Sequence, residues 1–257
     1  MTTTLITGGT GGVGKALVSA FAKRGGDVYF TYFQNEEKAR VLENELAGFK
    51  VKALLFNQGE YEATRTLLEQ LPERIDVLIN NAALGSATVE RLSADKAQQD
   101  ELLMKVNALG PLWLTEMIIE RMRISEGGKI INISSVGGGI SQYPGFRLAD
   151  SMSKAAVALM TKQLAAELVH EPIDVFAVCP GATDTAMFDA STLQHLDKTE
   201  QEQFKASLPK KRLISPQEIA EVCLFLASEH SKVLHGAVID ASMGLGVNPG
   251  CLHKKQA

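Results

Sequence analysis

The sequence is poor in cysteine, in aromatic residues and in excess positive charge. Its 257 residues include three cysteines and one tryptophan, and aromatic residues make up 6% of the chain. The cysteines lie far apart and form no Cys-x-x-Cys pair, which argues against a disulfide framework and against a thiolate metal site. We therefore expect reduced thiols, a cytoplasmic protein and no bound metal.

Charge and hydropathy exclude two further classes of protein. Lys and Arg number 26 against 30 Asp and Glu, so there is no basic surface of the kind that binds nucleic acid. Hydrophobic residues make up 45% of the chain, enough for a sizeable core. No apolar run reaches the length of about 18 residues that a membrane helix needs. We expect a globular protein with neither a nucleic-acid nor a membrane partner.

Short β-like runs alternate with longer helical patterns along the chain. This alternation predicts an α/β fold with a parallel sheet of about seven strands and helices on both faces. No linker or repeat divides the sequence, so residues 1–257 are expected to form a single Rossmann-type, doubly wound domain. The predicted strands are 3–7, 28–32, 51–56, 76–80, 129–134, 174–178 and 238–240, and the predicted helices are 14–24, 35–46, 96–122, 155–169 and 216–228. Pro111 should kink the third of these helices or start a fresh turn in it.

A glycine-rich segment at 7–14, TGGTGGVG, follows the first strand and opens the first helix. Glycines let the backbone turn tightly and come close to a pyrophosphate. The N-terminus of the helix offers phosphates its free N–H groups and the positive end of its dipole. In this strand–turn–helix context the segment predicts a dinucleotide-binding site.

Further motifs follow in order along the chain. They are Thr7, Gly8, Gly12 and Gly14 in the pattern TGxxxGxG, NNAA at 80–83, Asn107 in VNALG, GKIINISS at 128–135, and Pro180, Gly181 and Thr185 in the pattern PGxxxT. Together they resemble the motifs of the short-chain dehydrogenase/reductase family, and the resemblance covers nearly the whole chain. It implies a Rossmann fold, a nicotinamide dinucleotide and oxidoreduction of a carbonyl or an alcohol.

The resemblance implies a cofactor site assembled from several strand ends. Its expected members are Thr7, Gly8, Thr10, Gly12, Val13, Gly14, Tyr32, Asn57, Asn81, Ala82, Lys154, Pro180, Gly181 and Thr185. A carboxylate at the end of strand two would bind the ribose of NAD(H), but Tyr32 occupies that place. No arginine is present there either, and we favour NADP(H) over NAD(H). Asn57 either contacts the adenine or forms a turn at the strand end.

The catalytic set that the resemblance implies has one member missing. Relatives use a serine, a tyrosine and a lysine four residues after the tyrosine, together with an asparagine that holds a water in a proton relay. Ser135, Lys154 and Asn107 occupy three of these positions. Asp150 stands four residues before Lys154, where the tyrosine is expected, and the loop after Ser135 is longer than in relatives.

Asp150 therefore has two interpretations. A free aspartate titrates near ~3.9 and a tyrosine near ~10, and a helix start with a lysine one turn away should keep the carboxylate charged. Asp150 either caps the first helical turn and pairs with Lys154, or acts as a general base in a non-redox proton transfer. Tyr143, in the preceding loop, is another candidate proton donor; the alternative is an aromatic ring that packs on the pocket wall.

Three functions remain open at this point. The first is an NAD(P)(H)-dependent oxidoreductase for a small, partly apolar carbonyl or alcohol, with a substrate lid at about 187–208 and a weakly structured tail at 247–257. The second is a non-redox lyase or isomerase that uses Asp150. The third is a cofactor-binding subunit without activity, held in a hetero-oligomer. Relatives commonly form tetramers, so the resemblance implies a homotetramer.

Overall fold

Seven parallel strands form one sheet, as the alternating pattern predicts. The computed structural model of the chain describes residues 2–125, 127–143 and 146–248. The strands are β1 (Thr2–Ile6), β2 (Gly26–Tyr32), β3 (Val51–Leu55), β4 (Val77–Asn80), β5 (Gly128–Ile133), β6 (Ile173–Pro180) and β7 (Val238–Ala241). The predicted strands lie within about two residues of the observed ones at nearly every end.

The strand order places a functional crevice beside β1. The order across the sheet is β3-β2-β1-β4-β5-β6-β7, and every pair is parallel. From β1 the chain adds β2 and β3 on one side. It then crosses back and adds β4 to β7 on the other side of β1. Such a reversal opens a crevice at the carboxyl ends of the two strands, where ligands bind in doubly wound sheets.

Helices cover both faces of the sheet. They are α1 (Gly12–Arg24), α2 (Glu36–Glu45), α3 (Tyr61–Gln70), α4 (Ser86–Leu92), α5 (Lys96–Met104), α6 (Gly110–Ile124), α7 (Leu148–Glu167), α8 (Ala186–Ser191), α9 (Lys198–Ser207) and α10 (Pro216–Leu226). Alternate strand residues enter two separate cores: Ile6 and Ile79 pack on one face, and Leu5 and Leu78 on the other. This is the period-two alternation of a sheet that is buried on both faces.

The predicted long helix is continuous but carries one wide turn. A π-helical turn at Lys105–Leu109 joins α5 to α6, and Pro111 stands in the first turn of α6. The π turn accommodates a proline that cannot donate to the preceding turn. By length and composition this helix could cross a membrane. Its residues Leu114, Ile118 and Met122 are fully buried, so the protein core accounts for its apolar character.

Helix α7 begins seven residues before the predicted start at Ala155. Arg147 is its N-cap residue, and Asp150 lies in the first helical turn without being the cap. The Arg147 guanidinium binds Asp100 at 2.6 Å and Gln99 at 2.7 Å. These contacts attach the start of α7 to α5, and they extend the helix beyond the periodic stretch that the sequence shows.

The expected lid contains more helix than the sequence suggests. Helices α8 and α9 lie within 187–208 or begin at its border, and α9 opens with a capping box formed by Asp197 and Glu200. The polar composition of 194–207 predicts weak structure, and helix α9 shows that this prediction is wrong. The predicted tail at 247–257 is described only as far as Asn248. The remainder of that tail, Cys251 and the expected turn at 144–145 lie outside the described residues.

The two described cysteines are free and buried. Burial raises the pKa of Cys179 to about 11 and that of Cys223 to about 12. Both groups are therefore neutral thiols at pH 7, because desolvation disfavours the thiolate.

A buried polar network joins the centre of the sheet to the helices behind it. Asn80 on β4 donates to Asn132 on β5 and to Thr115 on α6, each at 2.8 Å. Asn132 in turn donates to Thr161 on α7 at 2.9 Å. Because all four side chains are almost inaccessible to solvent, each bond satisfies a group that would otherwise be buried without a partner.

Replacing Asn132 should destabilise the whole domain. We expect Asn132→Ala to lower the free energy of unfolding by about 1–3 kcal/mol, because the partners of the lost amide remain buried. Urea denaturation followed by circular dichroism measures this loss. Gln163→Ala is the control: Gln163 lies on the exposed side of α7 and donates to Glu167, and the substitution should change the free energy of unfolding by no more than about 0.5 kcal/mol. Equal effects of the two substitutions would contradict the role of the network.

Candidate active site

The loop between β1 and α1 is braced against β2. The N–H of Gly8 donates to Oγ1 of Thr31 at 3.1 Å, and the N–H of Gly9 donates to the Thr31 carbonyl at 2.9 Å. Gly8 has a positive φ of 68°, a conformation that favours glycine. The loop therefore leaves the sheet with a fixed direction, at the crevice between β1 and β4.

Two glycines of this loop lie so close to their neighbours that a side chain would force a shift. A Cβ on Gly14 would lie 2.0 Å from the carbonyl oxygen of Gly8, and a Cβ on Gly12 would lie 2.7 Å from Cγ2 of Thr185. Gly14 is thus needed by the fold of the loop itself. The contact of Gly12 brings the predicted cofactor residue Thr185 to the mouth of the phosphate-binding loop.

The segment after β4 locks this loop in place. Oγ1 of Thr7 accepts the N–H groups of Asn81 at 3.0 Å and of Ala82 at 2.9 Å. The side-chain amide of Asn81 donates to the carbonyls of Thr7 and Gly8 at 2.8 and 3.2 Å. Asn81 and Ala82 therefore shape the cofactor site through the backbone of the glycine-rich loop.

The remaining residues of the adenosine side lie at neighbouring strand ends. Tyr32 ends β2, and its carbonyl accepts the N–H of Phe56 at 2.8 Å. Oδ1 of Asn57 accepts the N–H of Gly59 at 3.2 Å, which is the turn-forming alternative for this residue. Thr10 and Val13 are half-buried at the start of α1, where the free N–H groups of the helix lie.

The segment after β6 carries the residues predicted for the nicotinamide side. Pro180 ends β6 beside Ala241 of β7, and a Cβ on Gly181 would lie 2.9 Å from the side chain of Ser242. Oγ1 of Thr185 accepts the N–H of Phe188 at 3.2 Å and so caps α8. The predicted cofactor residues Pro180, Gly181 and Thr185 therefore connect the sheet to the lid.

Lys154 and the two serines meet at the end of β5. Nζ of Lys154 donates to the carbonyl of Ile133 at 3.2 Å, and Oγ of Ser134 donates to the Lys154 carbonyl at 2.7 Å. Desolvation lowers the pKa of Lys154, and the charge of Asp150 opposes this shift. Ser134 is buried and bound to α7, whereas Ser135 is half-buried and accepts the N–H of Gly137 at 3.2 Å. Ser135 is thus the serine that can reach a substrate.

Asn107 lies inside the π-helical turn and holds the loop after β4. Its Oδ1 accepts the N–H of Leu84 at 2.8 Å, and its Nδ2 donates to the Leu84 carbonyl at 2.9 Å. Nδ2 also donates to Oγ of Ser153 at 3.1 Å. Asn107 therefore connects the loop after β4 to the first turns of α7.

The carboxylate of Asp150 is bound by a residue that the sequence patterns did not single out. Oγ of Ser86 donates to Oδ2 of Asp150 at 3.1 Å, and Oγ of Ser153 donates to the Asp150 carbonyl at 2.7 Å. The ion pairs of the described residues do not include one between Asp150 and Lys154. The prediction that Asp150 caps α7 and pairs with Lys154 is therefore wrong. No motif marks Ser86, because it meets Asp150 only through the tertiary fold.

Tyr143 packs against Val136, which follows Ser135, and against Leu245 near the end of the described chain. Its side chain is buried, and its hydroxyl donates to the carbonyl of Leu245 at 3.0 Å. Its ring stacks on Phe146, with centroids 5.1 Å apart. This arrangement is the wall-packing alternative for Tyr143, and a role as proton donor stays a prediction.

Comparisons with known proteins agree with this geometry. A family model described as enoyl-(acyl carrier protein) reductase matches residues 8–246. The chain is 34% identical over 246 residues to the 3-oxoacyl-(acyl-carrier-protein) reductase FabG of Thermotoga maritima, covering 94% of this chain and 96% of that one. It is 33% identical over 250 residues to the acetoacetyl-CoA reductase of Cupriavidus necator, covering 95% and 97%. Among solved structures it resembles actinorhodin polyketide ketoreductase with NADPH, at a TM-score of 0.86 and 27% identity over 95% of this chain and 97% of that one.

A side chain at position 14 should abolish dinucleotide binding. Gly14→Ala places a methyl group against the Gly8 carbonyl, which forces the phosphate-binding loop to open. We expect the affinity for NADPH, measured by fluorescence titration, to fall at least about 100-fold, as when positioning contacts are lost.

Gly11→Ala is the matched control in the same loop. Gly11 has a φ of -76°, and its added Cβ would lie 3.5 Å from the nearest atom, the Gly8 oxygen. NADPH affinity should therefore change little. Full binding by Gly14→Ala would show that this loop is not the pyrophosphate site.

Proposed function

This chain belongs to the short-chain dehydrogenase/reductase family, and from that premise we propose that it interconverts a carbonyl and an alcohol in a small, partly apolar substrate. The observation that carries the proposal is the braced loop at the switch point of the sheet, where Thr7 and Asn81 fix the glycines beside the start of α1. A bound nicotinamide dinucleotide supplies or accepts the hydride. A non-catalytic scaffold would have no need of this loop together with Lys154 in a desolvated position.

We propose a 3-oxoacyl group as the first substrate class to examine. Two relatives are named as reductases of 3-oxoacyl and acetoacetyl groups. The lid of this chain supports an acyl substrate, because Phe188 and Phe204 pack together with ring centroids 6.0 Å apart. Leu193 is buried beneath the same segment. These side chains give the lid an apolar interior suited to a short carbon chain.

We propose NADP(H) as the preferred dinucleotide. The end of β2 carries Tyr32 and no carboxylate, so nothing at that strand end repels a 2′-phosphate. The nearest acidic residue of α2, Glu36, is paired with Arg40 at 2.6 Å. A solved structure that this chain resembles contains NADPH.

We propose that Asp150 handles the proton that a tyrosine handles in relatives. In the oxidative direction the hydride leaves the alcohol carbon, the hydroxyl proton passes to the Asp150 carboxylate, and a C=O bond forms. In the reductive direction a protonated Asp150 returns the proton to the alkoxide oxygen. Ser135 donates a hydrogen bond to that oxygen, and Lys154 provides positive charge nearby. Alcohol oxidation should therefore be lost at low pH, where the carboxylate is protonated, and carbonyl reduction should be favoured there.

Absorbance at 340 nm tests the proposed reaction directly. We expect NADPH to be consumed with a short 3-oxoacyl thioester, and NADP⁺ to be reduced with the matching 3-hydroxyacyl thioester. NADPH should be preferred over NADH by at least about tenfold in kcat/KM, which corresponds to about 1.4 kcal/mol. Gly14→Ala serves as the inactive control.

Two results of the same assay would contradict the proposal. Dinucleotide binding without turnover of any carbonyl or alcohol would favour a cofactor-binding subunit. Formation of product without a change in the nicotinamide would favour a lyase or an isomerase.

Two substitutions distinguish the candidate proton carriers. Asp150→Asn should lower kcat by about 100-fold to 10,000-fold, the usual contribution of a general acid or base. Tyr143→Phe should leave kcat within about threefold while lowering the free energy of unfolding by about 1 kcal/mol, through loss of the bond to Leu245. The reverse pattern in kcat, measured at 340 nm, would assign the proton transfer to Tyr143.

A third variant, Asp150→Tyr, is expected to increase the rate of ketone reduction. Asp150→Tyr restores the spacing of relatives beside an intact Lys154 and Ser135. If the rest of the site has retained the geometry of relatives, this variant should reduce ketones faster than the parent at neutral pH. Bound cofactor without faster reduction would mean that the longer loop, and not only the missing phenol, sets the chemistry.

A further inference from the structure

The loop after β4 contacts four parts of the site. Residues 82–86, which we name the bridging loop, join the glycine-rich loop through Ala82 and the π-helical turn through Leu84. A Cβ on Gly85 would lie 3.0 Å from Cγ of Met187, so the bridging loop also touches the lid. It ends at Ser86, whose hydroxyl binds Asp150. The position of Ser86 is therefore fixed by contacts on every side of the site.

Asp150 is held at two points, and each is connected to Asn107 through hydrogen bonds. Its backbone carbonyl is bound by Ser153, and Ser153 is bound by Nδ2 of Asn107. Its carboxylate is bound by Ser86, at the end of the loop that Asn107 holds through Leu84. In the part of the chain that the structure describes, Oδ2 of Asp150 is the oxygen that receives the hydrogen bond, and Oδ1 has no donor.

We propose that Ser86 is a positioning residue for proton transfer, whose hydroxyl holds one oxygen of Asp150 and leaves the other to exchange the substrate proton. This inference rests on the proposed function, in which Asp150 replaces the missing tyrosine. The hydroxyl fixes the rotamer of a short side chain on a helix, through a hydrogen bond to a carboxylate, which is stronger than one between neutral groups.

Among the described residues, the carboxylate of Asp150 receives its hydrogen bond from Ser86 and not from a charged side chain. Charged and titratable groups that interact in this part of the site include Lys154 on α7, Arg147 at the N-cap of α7, Glu90 on α4, Asp100 on α5 and Cys179 on β6. Arg147 is bound to Asp100 at 2.6 Å and faces Glu90 at 3.9 Å. Lys154 donates to the Ile133 carbonyl. The direct donor to the carboxylate is thus Ser86, while Lys154 acts on it only through its charge.

Ser86→Ala and Ser86→Thr test the proposal as a matched pair. Ser86→Ala should lower kcat for alcohol oxidation by about tenfold, the worth of one charge-assisted hydrogen bond, with KM and NADPH affinity within about twofold. Ser86→Thr keeps a hydroxyl and should restore the rate.

Ser93→Ala is the control for removal of a hydroxyl from the same helix. Ser93 lies at the far end of α4 and contacts Gln98 and Asp95. Ser93→Ala should leave kcat unchanged. A kcat of Ser86→Ala equal to that of the parent, or a Ser86→Thr variant as impaired as Ser86→Ala, would overturn the proposal.

A second measurement does not depend on turnover. The carboxyl ¹³C resonance of Asp150, identified by its absence in Asp150→Asn, is recorded in the full-length protein with NADPH present. In Ser86→Ala this resonance should move from its position in the parent, because the carboxylate loses its hydrogen-bond donor, and Ser86→Thr should restore it. An unchanged resonance in Ser86→Ala overturns the role of Ser86 even if the protein is an active oxidoreductase. A shifted resonance without any nicotinamide turnover supports the role of Ser86 and overturns the proposed function.

Discussion

The structure depends on the backbone contact between the loop after β1 and the segment after β4. Thr7 receives two N–H groups from that segment, and Asn81 returns two hydrogen bonds to the carbonyls of Thr7 and Gly8. These hydrogen bonds hold the loop in a conformation that leaves no space for a Cβ on Gly14. The two strands, β1 and β4, lie side by side at the switch point of the sheet. The contact between the segments that follow them therefore fixes the positions of the glycine-rich loop, the start of α1 and the bridging loop together.

The catalytic side of the crevice is built on the same segment. Asn107 can bind the bridging loop with both ends of its amide because it lies in a π-helical turn, which displaces one residue from the regular helical path. Its third bond, to Ser153, extends the connection to α7. The bridging loop therefore contacts the glycine-rich loop, the lid and Asp150. A displacement of any of these parts should be transmitted to the others through this loop.

The features that sequence patterns predicted are those encoded by contiguous residues. The strands, the glycine-rich loop and the helix that carries Lys154 all have a local periodicity or a turn chemistry that shows in the sequence. The start of α7 does not, because its first turn is held by Arg147 and its bonds to α5. Ser86 could not be found either, since its partner lies 64 positions away. Both depend on contacts that only the folded chain creates.

The exchange of a phenol for a carboxylate also changes the charge of the site. A tyrosine at position 150 would be neutral at pH 7, so a desolvated lysine beside it would carry an uncompensated charge. Asp150 offsets that charge, which is why its interaction opposes the lowering of the Lys154 pKa. By Coulomb's law the added negative charge favours a cationic partner in the crevice. Oxidised nicotinamide is cationic and reduced nicotinamide is not, so a carboxylate at position 150 would favour the oxidised form of a dinucleotide bound in this crevice.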